Sequence, residues 1–209
     1  MEKMHAQPRT IFMFATVSAL VLLLVVPGPT NTLLMRAGVL FGFAASWRMA
    51  FIECLAYLLQ VSVWGAALFY LSAWSPWAVK AAQLAAVCYL LQLSYTLWQR
   101  NNASVESSHD RFGGVYFFWL TVMNPKGLLI ASFIAPVGAF ASLQGYAGFM
   151  ATLALVVIPV GSAWIVLGSR FEGVEKTWLT PLKINRATSV AICCFATLML
   201  GRLAGSVIH

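Results

Sequence analysis

Charged residues are scarce in this 209-residue chain. Only 9% of the residues are Asp, Glu, Lys or Arg, six of them acidic, whereas 61% are hydrophobic and the mean hydropathy is +0.83. A soluble globular domain typically carries about 25% charged residues. The composition therefore excludes a soluble domain of this size and predicts a protein that crosses a membrane several times.

Histidine and aspartate are missing from the long apolar runs. The three histidines, His5, His109 and His209, lie at the ends of the chain or in a polar stretch. A membrane-embedded enzyme needs a nucleophile, an acid and base pair or a metal cluster, and the apolar runs offer a single glutamate. We therefore expect no enzyme, no metal site and no cofactor.

Cysteine is also sparse, and its four copies lack the paired spacing that zinc and redox motifs require. They lie within apolar runs, at Cys54, Cys88, Cys193 and Cys194. Free cysteine behaves as a small apolar side chain. We expect four buried, unpaired thiols.

The thirteen Lys and Arg residues give a formal charge of +7. They are scattered through short polar stretches rather than gathered beside aromatic side chains, so nucleic acid is not an expected partner. Cationic loops facing anionic lipid headgroups explain the charge more simply. We expect membrane lipids as partners and a multi-pass location in the inner, or plasma, membrane of the cell.

The apolar runs divide the chain into six candidate spans. A helical span takes about 20 residues, so six of them nearly fill the chain. Charges and turn residues place the spans at 10–34, 39–69, 77–99, 112–138, 146–168 and 186–207. The predicted fold class is all-α, a polytopic membrane protein with six transmembrane helices.

A polar linker at 101–111 separates two groups of three spans, residues 1–100 and 112–209. An odd number of spans in each half makes the second half run through the bilayer in the opposite direction. Pro27 and Pro125 lie about 98 positions apart, and Arg100 and Arg202 about 102. This common offset predicts two inverted three-helix repeats.

The sequence Pro27-Gly28-Pro29 ends the first apolar run. Two prolines around a glycine cannot continue a helix, so we predict an extended piece between two half-helices. Thr30 or Asn31 is placed to cap the second half-helix, whose free amides form a positive end able to hold a carboxylate. The alternative is a kink that only shapes packing.

The sequence Asn124-Pro125-Lys126 interrupts the fourth span and adds a charge. A lysine at bilayer depth costs about 2.5 to 3.5 kcal/mol, so it requires a wet cavity, a partner or an interface. We predict that Lys126 contacts a carboxylate, either of a solute or of the protein. The alternative is that its side chain snorkels to a lipid headgroup.

Glu53 is the one acidic residue inside a predicted span, with Arg48 and Lys126 as candidate partners. A carboxylate in such a place binds a coupling proton or the amino group of a solute. A structural ion pair, or a position outside the hydrocarbon, explains it equally well.

These motifs resemble the LysE/RhtB superfamily of amino-acid exporters, and the resemblance spans nearly the whole chain. It rests on Pro27-Gly28-Pro29, Gly42, Cys88-Tyr89-Leu90-Leu91, Asn124-Pro125-Lys126 and Pro136. It implies a small inner-membrane carrier for amino acids or related metabolites.

The chain departs from that superfamily pattern at several positions. The residue after P-G-P is Thr30 rather than Asn, and the acidic residue usual near Tyr57 is displaced by one helical turn to Glu53. Residues four apart lie on one side of a helix, so Glu53 occupies the same face. Phe117 and Thr121 stand where Gly and Asn are common. These differences leave the fold expectation intact and the identity of the solute open.

The patterns together predict a secondary transporter that exports amino acids or related small zwitterionic or amine metabolites by alternating access. The phosphate-binding pattern G-x-x-x-x-G-K-[ST] is absent from the sequence, so we expect a coupling ion, proton or sodium, rather than ATP. The alternative is a channel-like or structural membrane protein without carrier activity. The oligomeric state stays open, a homodimer included.

Overall fold

The computed structural model describes residues 6–99, 113–136, 138–170 and 181–208. These ranges form helices joined by short turns and contain no strand, so the predicted all-α class is confirmed for them. The predicted linker at 101–111 lies outside the described residues.

Eight α-helices and one π-helical segment follow one another in the described ranges. They are α1 (Ala6–Val25), α2 (Pro29–Ser46), α3 (Arg48–Trp74), α4 (Pro76–Gln99), α5 (Gly114–Val122), α6 (Lys126–Leu129), the π-helical segment Ile130–Ile134, α7 (Leu143–Arg170) and α8 (Pro181–Ile208). The π-helical segment continues directly from α6. Helix α7 runs through Pro159 without a break.

Three of the described helices are long and apolar enough to cross a membrane: α3, α7 and the part of α8 at Arg186–Gly205. Two bent pairs meet the same criterion as units, Met13–Val25 with α2 at 65° and α5 with Lys126–Ile134 at 45°. Counting each bent pair as one span gives five, by length and composition. The third predicted span corresponds to α4, which is not among them because Lys80 and three glutamines lower its hydropathy.

The predicted boundary between the first two spans, at 35–38, is wrong. Arg36 falls inside this predicted boundary, yet α2 continues past it to Ser46 and α3 begins only at Arg48. The bend lies instead at Gly42 within α2, where φ is 71° and ψ is 171°. That conformation is almost confined to glycine because a β-carbon would clash with the backbone.

Helix α2 packs along α7 through glycines at close approach. A β-carbon at Gly38 would collide with the Ile165 carbonyl, and one at Gly168 with the Met35 carbonyl. Small residues of this kind let two helix backbones touch where lipid supplies no hydrophobic driving force between helices. This contact ties α2, the second half of the first bent pair, to the second half of the chain.

The expectation of four buried thiols is wrong for three of them. Cys54 is buried, whereas Cys88, Cys193 and Cys194 are exposed on the outer faces of α4 and α8. An apolar thiol has no need of a protein interior when lipid covers the outer face of a helix.

Candidate functional site at the two helix breaks

The first break lies where the Pro-Gly-Pro motif predicts it, between the end of α1 at Val25 and the start of α2 at Pro29. Gly28 is the extended N-cap residue, and Pro29 occupies the first helical position, where its missing amide hydrogen costs nothing. The first helical hydrogen bond of α2 runs from the Thr32 amide to the Gly28 carbonyl, at 2.9 Å. The amides of Thr30 and Asn31 therefore have no helical acceptor and form a positive helix end.

The prediction that Thr30 or Asn31 caps α2 is wrong. No side chain caps α2. The Asn31 side-chain amide instead donates to the carbonyl oxygens of Leu24, at 2.7 Å, and Val26, at 3.0 Å. These carbonyls lost their helical partners at the break, so Asn31 holds the two half-helices together by satisfying them.

The second predicted break is also present, between α5 and α6. Asn124 organises it: its side-chain oxygen accepts a hydrogen bond from the Lys126 amide at 3.1 Å, and its carbonyl accepts one from the Gly127 amide at 3.3 Å. Asparagine at such a turn satisfies first-turn amides that have no helical acceptor. The sequence Asn124-Pro125-Lys126 thus ends one helix and starts the next.

The two breaks, far apart in sequence, meet in the core. The Asn124 side-chain amide donates to Thr30 Oγ1 at 3.3 Å and to the Tyr57 hydroxyl at 3.4 Å. Lys126 Nζ donates to the Val26 carbonyl at 2.6 Å. Gly28 is buried beside this lysine, and a β-carbon there would lie 3.5 Å from Nζ. Each break therefore satisfies polar groups that the other exposes.

Lys126 is 5% exposed, so its ammonium lies inside the protein rather than at a lipid interface. An ammonium has three donors, and the described residues accept only one hydrogen bond from Nζ, at Val26. A buried cation with unused donors attracts an anion.

Glu53 is buried at 2% exposure on α3 and faces the same junction. Its carboxyl group lies beside the Thr30 side chain and is attracted by the charge of Lys126. Its Oε2 lies so close to Gly161 of α7 that a β-carbon there would sit 2.5 Å away. Arg48, the other candidate partner, is exposed and lies over the Trp47 ring at 5.7 Å.

Sequence reasoning missed two members of this cluster, Tyr57 and Gln60. Both are buried on α3, four and seven positions after Glu53, and so share its helical face. Gln60 Nε2 donates to the Asn124 carbonyl, and Gln60 Oε1 is the one fully buried side-chain polar atom of the described residues without a hydrogen-bond partner. The spacing i, i+4, i+7 of polar residues within an apolar run is the signal that would have found them.

A narrow cavity opens between the breaks and the helix pair α4 and α8. The breaks supply Gly28, Pro29, Asn124, Pro125 and Lys126, whereas the facing walls are apolar and include Leu90, Leu93, Ala191, Ile192 and Phe195. In this conformation the cavity has room for about one water molecule. The remaining predicted site residues, Pro27, Thr30, Asn31 and Glu53, are not among its lining residues.

The fold and the site together define a helical protein with several helices fit to span a membrane and a buried polar cluster where two of its spans are broken. Comparison of the chain with protein-family models, with curated proteins and with solved structures finds no match. The resemblance to the LysE/RhtB superfamily therefore stays a prediction from sequence motifs.

Proposed function

We propose that the protein is a secondary transporter of the inner membrane, of the kind that the LysE/RhtB resemblance implies, which exports amino acids or related small metabolites by alternating access. The observation that carries this proposal is the position of Lys126. It is a buried cation at the junction of two broken helices, it lines a cavity, and one of its three donors is used by the described residues. Broken helices that expose polar backbone beside a cavity are typical of transporter solute sites.

The site suits a carboxylate. Lys126 supplies a full positive charge, and the start of α2 adds the partial positive charge of a helix N-terminus beside it, at Gly28. The Val26 carbonyl neutralises only part of the lysine charge, since it carries a partial charge. A solute carboxylate that enters the cavity would complete the neutralisation.

Glu53 supports ion coupling at the same junction. The Glu53 carboxylate attracts Lys126 without lining the cavity, so it competes with a solute carboxylate for the same positive charge. Arrival of a cation at Glu53, which we propose to be a proton, weakens that competition and frees Lys126 for solute. When Glu53 loses the proton, Lys126 again interacts with Glu53 in preference to the solute carboxylate.

We further propose that α4 is the sixth span and that the chain is an inverted repeat. Helix α7, in the second half, packs on α1 and α2, on either side of the first break. Helix α3, in the first half, packs on α5, α6 and the π-helical segment, on either side of the second break. Each half thus covers the break of the other half with one long helix. Helices α4 and α8 pack against each other, with Ser94 and Ser189 exchanging hydrogen bonds. Such reciprocal contacts are expected of two units related by a pseudo-twofold axis.

Solute counterflow in proteoliposomes tests the transport function. The wild-type protein is expected to exchange labelled amino acids with saturation, whereas Lys126→Gln is expected to lose at least about tenfold in exchange because the charge that holds the carboxylate is gone. The matched control is Lys80→Gln, since Lys80 lies on α4 at 5.1 Å from the Trp77 ring and does not line the cavity. Wild-type exchange by Lys126→Gln would refute the assigned role, and flux that does not saturate would favour a channel.

The same vesicles test coupling. Glu53→Gln keeps the size of the side chain and removes its charge, so exchange at equal pH is expected to persist while flux driven by a pH gradient is lost. Gradient-driven flux equal to wild type would show that Glu53 does not carry the coupling proton.

A further inference from the structure

The cavity at the breaks has a charged end and an apolar remainder. Its polar side chains, Asn124 and Lys126, belong to the second break. The opposite walls come from α4 and α8 and consist of apolar side chains, Leu90, Leu93 and Phe195 among them. A solute whose carboxylate reaches Lys126 therefore places the rest of its structure against hydrocarbon.

Among the described residues that line this cavity, none is acidic. Glu53, the acidic residue of the junction, is 2% exposed, is not among the lining residues, and is already attracted by the charge of Lys126. The amino group of an amino acid bound at Lys126 would therefore find no anionic partner among these lining residues. The lining suits a carboxylate and an apolar body and does not require an amino group.

From this lining we infer that the solute is a small monocarboxylate with an apolar tail, accepted with or without an α-amino group. The inference rests on the proposed transport function and narrows its substrate class. Tails with a charge are disfavoured because an apolar wall cannot replace their hydration. Amines without a carboxylate are disfavoured because Lys126 repels them.

A set of three compounds with one carbon skeleton separates these requirements. Leucine has both groups, 4-methylpentanoate lacks the amino group, and 3-methylbutylamine lacks the carboxylate. Each compound is added outside proteoliposomes that contain the full chain, and its inhibition of labelled leucine counterflow is measured. Because uptake of the added compound is not measured, passive leak of neutral acids through the bilayer does not affect the result. We expect leucine and 4-methylpentanoate to inhibit within about threefold of each other, and the amine and lysine to be at least about tenfold weaker.

Variants of the apolar wall test the position of the tail. Ala191 of α8 lines the cavity, so Ala191→Phe is expected to raise the KM for leucine at least about tenfold by filling the space for its tail. The control is Ala204→Phe, at an exposed position of the same helix outside the cavity. Phe195→Ala should shift the preference toward longer tails.

The outcomes distinguish this inference from the proposed function. Counterflow of labelled lysine, glutamate and 3-methylbutylamine is measured in the same vesicles. If none of these compounds exchanges and leucine does not either, transport itself is refuted. If one of them exchanges and leucine does not, or if 4-methylpentanoate fails to inhibit leucine counterflow, the inferred substrate class is wrong. An equal KM for Ala191→Phe and Ala204→Phe would show that the tail does not lie against α8.

Discussion

Lys126 Nζ donates a hydrogen bond of 2.6 Å to the carbonyl oxygen of Val26, a residue 100 positions earlier in the chain. The acceptor is the carbonyl of the residue that directly follows α1, where the first break leaves it without a helical partner. The donor is the ammonium group of Lys126, which belongs to the second break. Backbone groups freed in an apolar medium require a partner, and here each break supplies partners for the other. The two breaks therefore form one hydrogen-bonded cluster rather than two separate kinks.

Gly161 is expected to be essential for the position of Glu53. A β-carbon at Gly161 would lie 2.5 Å from Glu53 Oε2 and 3.4 Å from Ala50, so Gly161→Ala should destabilise the protein by about 1 to 3 kcal/mol through overpacking. Thermal unfolding in detergent measures this. Gly148→Ala on the same helix is the control, because nothing lies within 4 Å of its β-carbon and alanine there should stabilise the helix.

Shortening the carboxylate should relieve that clash. Glu53→Asp combined with Gly161→Ala is expected to recover part of the stability lost in Gly161→Ala alone. Equal losses in the single and double variants would mean that the strain arises elsewhere.

Ser94 and Ser189 are expected to be energetically coupled. Ser94 Oγ and Ser189 Oγ lie 3.0 Å apart, and each hydroxyl also reaches the carbonyl of the other residue, at 2.9 Å and 2.7 Å. The contact between the two hydroxyls is the one that both alanine variants remove. The two variants and their combination form a double-mutant cycle, for which we expect a coupling energy of about 0.6 kcal/mol, the average for polar contacts between membrane helices. Strict additivity of the two losses would contradict a shared interaction.

Gly42→Ala is expected to lower the stability of the chain by about 1 to 3 kcal/mol. The cause is the backbone alone, because φ at Gly42 is 71° and a β-carbon there would meet nothing within 4 Å. The change in unfolding temperature should exceed that of Gly201→Ala, which also meets nothing but lies in the regular helix α8. An unchanged unfolding temperature in Gly42→Ala would show that the bend adapts to alanine.

The number of spans decides on which side of the membrane the two ends lie. If α4 crosses, as we propose, six spans place both ends on the same side, whereas five spans place them on opposite sides. Reporter fusions at each end, or labelling of single cysteines introduced there in intact cells, measure this directly. Ends on opposite sides would refute the sixth span and, with it, the inverted repeat.

Covalent chemistry made the breaks predictable. Proline has no amide hydrogen and its ring clashes with the preceding turn, so the pair Pro27 and Pro29 around a glycine, and Pro125 after an asparagine, favour a break. A lone proline is weaker, since α7 continues through Pro159. The all-helical class was predictable because an apolar chain must satisfy its backbone within each span. The position of the bend at Gly42 was not predictable from the sequence. A charged residue such as Arg36 indicates a loop when the packing of α2 on α7 is unknown.

The hydrogen-bond and charge partners of the buried polar side chains could not be predicted from the sequence. Local pattern favoured Asn31 as a cap of its own helix, yet the carbonyls of Leu24 and Val26, brought near by the 65° bend, bind its amide. Likewise Glu53 had two candidate cations, and only folding turned Arg48 outward and brought Lys126 close. Chain connectivity dictates where a helix must stop, whereas hydrogen bonds and charges act through space, between residues whose proximity is created by packing.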